Sequence, residues 1–435
     1  MYLGLVVLLL STILLGTCIW TSHMPPLWRT EILTIATSFG SIMFASSYVE
    51  EEHQFWYWIA ASHFVLAYLQ RFELPGIATK EASILAHRRQ VSNLTLFYFN
   101  YHYFALSVDG IRLVRNIMRA FLTPGQKFAG APDIVKNFLQ HHPHFLGILV
   151  ISTYILAGCS LYRNAFPRND AFRRIIWPII LVCTSVVFKI TMAAEAGERL
   201  PIWLQHIPYI WSWAASLVSK ARVSFITMAL ALVWYSIRWV TDLKTSQSWI
   251  TGGFAFLNIF LLGQSRYTNI PLFLLFESQR WLLARSNADV NWLAMTCLWM
   301  QHVSFFALGN SNSLSSVDLT NAYNGMSSYS IPLVGALTFI SNWAGPIWWT
   351  FAAVRFHVDC GTKRAIPGSY IGWMGWNSLF HGVVICFLVL ACIALKTHLF
   401  IWTVFSPKFL FQAVWITLQH IVVEFILGSI LCWLG

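Results

Sequence analysis

Long, nearly uncharged apolar runs recur along this chain and constrain its fold more than any other feature. A membrane-spanning helix needs about 20 consecutive, mostly apolar residues. Residues 1–20, 31–48, 55–70, 144–162, 175–193, 223–240, 289–309, 331–354, 370–395 and 408–433 fit that description, and 91–109, 249–263 and 269–285 fit it less cleanly. Lipid offers no partners to open backbone groups, so a spanning segment is a helix or part of a closed barrel. Barrel strands alternate in character over about ten residues, whereas these runs are continuously apolar. The expected fold is all-α: a polytopic transmembrane helical bundle of about 11–14 spans. It is expected to occupy residues 1–435 as a single membrane domain, with no soluble domain of its own.

Composition excludes the soluble alternative. Charged residues make up 10% of the chain and hydrophobic ones 57%, against about 25% charged in a soluble domain. The net charge of +11 does not point to nucleic acid. No basic stripe interleaves with an exposed aromatic platform, and the basic residues sit in short segments between apolar runs. The eight cysteines are scattered, mostly within apolar runs, and form no CxxC pair, so they read as buried free thiols. Residues 1–20 carry no charge and the first basic residue is Arg29. A secretory signal needs a basic leading segment, so a retained span is expected there.

Basic charge sets orientation in a membrane. It concentrates in 71–90, 163–174 and 355–364, which are therefore expected in the cytosol. Residues 46–54, 110–143, 194–222 and 310–330 then fall on the opposite face. The segment 110–143 conflicts with this, since it holds Arg112, Arg115, Arg119, Lys127 and Lys136. A basic amphipathic helix lying on the membrane surface accounts for it, as does a miscounted span at 91–109.

Three segments carry polar chemistry. In Ser46–Tyr57, the carboxylates Glu50, Glu51 and Glu52 stand side by side before His53. Ser47 with Glu50 fits a capping box, and the following aromatics fit an interfacial belt. The same groups suit a cationic or sugar ligand. In 305–325, Asn310, Asn312, Asp318 and Asn321 with neighbouring Ser and Tyr residues suit sugar hydroxyls, or form an ordinary turn-rich loop. In Ser341–Pro346, Gly345-Pro346 is expected to kink or break the helix and free backbone groups.

Ionisable residues inside spans are functional candidates by default. Glu424 with His420 one turn before it could be proton-coupled or could join two helices, and Glu277 lies near Arg280. Lys189 stands late in its own span. His141, His142 and His144 have no partner at ligand spacing except Asp133. No metal or other cofactor is therefore expected in this chain. Lys127 in Gly125-Gln126-Lys127 could meet a phosphate.

Together these segments resemble a known family. Ser46-Ser47-Tyr48-Val49-Glu50-Glu51-Glu52-His53-Gln54-Phe55-Trp56-Tyr57 is similar to the SSxxEEEHQxWY run of GPI ethanolamine phosphate transferases of type 2, the PIG-G type. Phe305-Phe306 with Gly309 to Leu314 and Val317-Asp318, Ile331-Pro332 through Gly345-Pro346, and Gly125 to Gly130 with Pro132 to Ile134 fit the same membrane region. The resemblance implies an enzyme of the endoplasmic reticulum membrane. Such an enzyme transfers ethanolamine phosphate from phosphatidylethanolamine to the second mannose of the GPI precursor glycolipid. A small membrane subunit of PIG-F type is the implied partner.

In the family the chemistry belongs to a lumenal alkaline-phosphatase-like domain with a Thr nucleophile and an Asp/His zinc site. This sequence offers no such cluster in a soluble setting, so no catalytic residue is expected in it, and the zinc is expected in the missing domain. Two other functions stay open. A multi-span lipid transporter or flippase would suit the spans, the broken helix and Glu424, but would predict an internal repeat, and none is evident. A membrane-bound O-acyltransferase would need a pair such as His381 with Asn342.

Overall fold

The computed structural model describes residues 26–72, 141–166, 171–206, 216–241, 249–285, 288–360, 368–397 and 401–434. The described residues form helices and no strand. In chain order these are α1 (Pro26–Ile42), the short α2 (Ser46–Glu50), α3 (Glu52–Phe72), α4 (Pro143–Asn164), α5 (Ala171–Glu195), the one-turn α6 (Ile202–Gln205), α7 (Leu217–Thr241), α8 (Trp249–Gln264), α9 (Ile270–Ala284), α10 (Val290–Ala307), α11 (Ile331–Asn342), α12 (Ala344–Cys360) and α13 (Gly368–Ala394). The last is α14, Phe405–Leu434, whose middle, Trp415–Leu427, winds as a π-helix.

Five helices among the described residues are long and apolar enough to cross a membrane: Pro143–Asn164, Phe172–Glu195, Leu217–Thr241, Gly368–Ala394 and Phe405–Leu434. The chain is a multi-pass membrane protein with an all-α bundle fold. Its outer surface is apolar in a helical rhythm. Ile226, Leu230, Val233, Ile237 and Val240 are all exposed along one stripe of α7, as a lipid-facing helix requires. Inside, Trp56, Trp299, Trp348, Trp349 and Trp373 are fully buried.

The helix ends sort into two faces. At one, the polar end, Asn312 reaches Val49, Arg266 reaches Asp318, Lys189 reaches Asn321, Arg222 reaches Gly325, and Lys408 reaches Glu52. Helices leaving this end finish at the other, where α4 ends at Asn164, α5 begins at Ala171 and α12 ends at Cys360. The loops 46–54 and 310–330 therefore share one face, opposite to those helix ends. Candidate spans 1–20 and 91–109 lie outside the described residues, as do most of 71–90 and 110–143, including Lys127 and Asp133.

Three expectations need correction. The span expected at 31–48 is shifted: α1 runs from Pro26 and stops at Ile42, and a separate turn, α2, follows. The Ser47–Glu50 capping box does not form, because α2 has Ala45 at its N-cap with no side-chain bond to it. Residues 331–354 are not one span but two helices, so of the expected kink or break it is the break that occurs, two residues before Gly345. The break falls at Trp343, and α11 begins shortly after Ser327, which Arg222 holds, and ends on Asn342, which binds Asp318. Pro346 then lies in the first turn of α12, where a missing N–H costs nothing. Gly345 serves packing: a Cβ there would lie 2.6 Å from Ser304 Oγ and 2.7 Å from its Cβ. That close approach lets α10 and α12 pack together as the most extensively paired helices among the described residues.

Candidate functional site

The polar end is built around two buried carboxylates. Glu52, in the first turn of α3, pairs with Lys408 of α14. It also accepts from Asn312 Nδ2 at 2.7 Å and from Trp56 Nε1 at 2.9 Å. The same Asn312 amide donates to Val49 O at 2.7 Å. Lys408 Nζ lies 5.3 Å from the Phe39 ring centre, within cation–π range. One carboxylate thus ties α1, α3, α14 and the 308–330 loop.

Asp318 organises the loop itself. Its Oδ2 accepts from Arg266 Nε at 2.7 Å and its Oδ1 from Thr320 N at 2.9 Å. Burial alone would raise this carboxyl, but the bonds from Arg266 and Thr320 outweigh it and hold Asp318 below the usual carboxylate range. Asn342 exchanges two backbone bonds with Asp318, each 2.9 Å. Asn310 Nδ2 donates to Phe305 O at 3.0 Å and to Asn342 O at 2.8 Å, covering carbonyls that the ends of α10 and α11 leave open. Asn321 Oδ1 accepts from Lys189 Nζ at 2.8 Å.

These contacts sort the sequence candidates. Glu52, His53, Asn312, Asp318 and Asn321 are buried, whereas Glu50, Glu51 and Asn310 are half-buried. His53 packs beside Tyr57 and Phe306, with ring centres 6.4 Å and 6.3 Å away. Glu277 is not an isolated intramembrane charge, because Arg280 grips it at both oxygens one turn on. His141, His142 and His144 are exposed around the start of α4. The pairing of His381 with Asn342 does not form: Asn342 binds the polar-end loop, while His381 packs on Phe380 and His420.

A second group lies in mid-bundle, between α10, α12, α13 and α14. His420 Nδ1 is 2.7 Å from Glu424 Oε2, and its Nε2 is 2.8 Å from Ser378 Oγ. Asn377 Nδ2 donates to Glu424 Oε2 at 3.2 Å. The rings of His381 and His420 are 4.9 Å apart. Gln419 Nε2 donates to Thr350 Oγ1 at 2.8 Å. His302 links this core to the polar end: it stacks on Trp56 at 3.9 Å, and its ring is 6.4 Å from that of His381.

The sequence profile described as GPI ethanolamine phosphate transferase membrane region matches residues 1–435. The chain belongs to that family. It is 32% identical over 467 aligned residues to a GPI ethanolamine phosphate transferase 2 of Yarrowia lipolytica, covering 97% of this chain and 51% of the relative. It is 34% identical to a protein of the same name from Aspergillus oryzae, over 90% of this chain and 41% of that protein. The Aspergillus fumigatus relative of that name is 32% identical, over 91% and 40%. The chain therefore spans about half the length of the curated relatives it matches, or somewhat less. No solved structure matches it.

The zinc centre implied for the family's phosphatase-like domain is not formed by the described residues of this transferase membrane region. Their one group of three metal-capable side chains is His381, His420 and Glu424. It lies between membrane helices, holds no Asp, and so does not fit that centre.

Sequence reasoning missed several partners in this family member. Lys408, at the rim of an apolar run, gave no sign of pairing with Glu52. His302, Asn377, Ser378 and Gln419 carry no motif in the sequence; their places on helical faces were the available signal. Glu31, His63 and Thr296 form a further hydrogen-bonded chain, buried at His63 and Thr296 and half-buried at Glu31, with His63 Nδ1 2.6 Å from Glu31 and Nε2 3.0 Å from Thr296. Three distant segments supply it, so no local pattern marks it.

Proposed function

We propose that this chain is the membrane region of a GPI ethanolamine phosphate transferase of type 2, acting in the endoplasmic reticulum membrane. In this reading the whole enzyme transfers ethanolamine phosphate from phosphatidylethanolamine to the second mannose of the GPI precursor, and a PIG-F type small subunit accompanies it. The family match along residues 1–435 carries the proposal. The membrane region gathers the two lipid-linked substrates and presents the glycan at its polar end. There Glu50 and Glu51 meet the amine groups of the glycolipid. Glu52, His53, Asn310, Asn312, Asp318 and Asn321 form the floor that fixes those groups in place. Zinc chemistry belongs to the family's catalytic domain, and no step of it is assigned to residues of this chain.

A chimera tests this. The membrane region of the Yarrowia relative is replaced by this chain, and the fusion is expressed in cells lacking their type 2 transferase. Modification of the second mannose is expected to return. A fusion that inserts and accumulates normally yet restores nothing overturns the proposal.

A further inference from the structure

We propose that His381, His420 and Glu424 form a binding site for a divalent transition metal, of the zinc class, in the middle of the helix bundle. Each residue offers one ligand atom, and these atoms lie within 4.8 Å of one another. All three side chains are buried, Glu424 completely. They come from the central turns of α13 and α14, far from either helix end.

The surroundings leave acceptor atoms open. Glu424 Oε1, His381 Nδ1 and Asn377 Oδ1 are buried without a hydrogen-bond partner. Among the described residues, Glu424 pairs with His420 and Asn377 and with no lysine or arginine. A carboxylate in such a place is costly unless a proton or a cation offsets its charge. Two imidazoles and one carboxylate are a donor set that suits zinc and its neighbours, and three protein ligands leave a fourth position open.

The orientation of His420 fits a ligand. With Nδ1 turned to the Glu424 carboxylate, its Nε2 lies 2.8 Å from Ser378 Oγ. That is the outer hydrogen bond which fixes ring and tautomer in metal-binding histidines. The backbone is also specialised. The Gly428 amide reaches back five residues to Val423 O, closing the π-helical stretch that carries both His420 and Glu424. Such wide turns are rare and recur at functional sites.

The test uses the whole chain, purified in detergent without a histidine tag and titrated with Co²⁺ alone. About one Co²⁺ per chain is expected, with the visible absorption of four-coordinate cobalt and displacement by an equivalent of Zn²⁺. Glu424→Gln keeps the shape and the hydrogen bonds, and His381→Ala removes one ligand. Each is expected to abolish the cobalt spectrum. Ser378→Ala is expected to weaken binding about tenfold, while His141→Ala leaves it unchanged. A wild-type chain that shows no such spectrum overturns the proposal. Full binding by a folded Glu424→Gln variant overturns it equally.

Discussion

Lys408 and Glu52, 356 positions apart in the chain, form an ion pair buried at the polar end of the bundle. Among the described residues, only the neutral donors Asn312 and Trp56 remain hydrogen-bonded to Glu52 if the lysine is removed. Lys408→Met is therefore expected to cost about 3–5 kcal/mol, because it strands a buried carboxylate. The double variant with Glu52→Met is expected to recover most of that loss. Thermal unfolding in detergent, followed by gel filtration, measures both. A double variant no more stable than Lys408→Met would show that the pair is not what Lys408 contributes.

Asn310 covers two backbone carbonyls, Phe305 O and Asn342 O. Asn310→Ala leaves both unpaired and is expected to lose about 1–3 kcal/mol. That should be seen as lower abundance. Glu51→Gln, at a half-buried position, is expected to lower activity of the full-length enzyme roughly tenfold at unchanged abundance, the loss of one charged contact worth about 1.5 kcal/mol. Equal loss of abundance in both variants would remove Glu51 from the substrate face.

The Arg266–Asp318 pair predicts a pH dependence. The folded carboxyl is held below its ordinary value. Its stabilisation is thus complete above about pH 4, the ordinary carboxylate pKa, and is lost as pH falls through the folded pKa. Asp318→Asn lacks this contribution throughout. The stability gap between wild type and Asp318→Asn should stay level from pH 7 to about 5 and close below about 4. A gap that widens on acidification would contradict the pairing.

Face assignment can be read by impermeant thiol labelling. Single cysteines at Tyr48 and Tyr323, both exposed at the polar end, are expected to react from one side of the membrane. A cysteine at Thr241, at the far end of α7, should react from the other, the side of the basic connections. Tyr48 and Thr241 labelling from the same side would mean that α7 does not traverse the bilayer as the bundle requires.

Gly428 is a packing position where α14 touches α13. A Cβ there would run into the Tyr370 hydroxyl, which donates to Glu424 O. Gly428→Ala is expected to cost about 1–3 kcal/mol through overpacking, visible as a lower unfolding midpoint. An unchanged midpoint would mean the two helices part without penalty.

The sequence alone determined the solvent and the class of fold. Its apolar runs and 10% charge leave helices in lipid as the solution, because backbone groups there must be satisfied within each segment. It also marked Glu424 with His420, since a one-turn spacing places two residues on one helix face. The EEEHQxWY run and the Gly309–Leu314 loop were enough to suggest the family. Sequence could not place the break at Trp343. That depended on Asn342 finding Asp318 and on Asn310 covering the freed carbonyl, which are contacts between separate segments. It could not pair Glu52 with Lys408, Lys189 with Asn321, or His63 with Glu31, because a buried charge is neutralised by whichever helix packs against it. His381 joined His420 and Glu424 for the same reason. Helical periodicity determines which residues share a face of one helix, and only the packing of helices decides which faces meet.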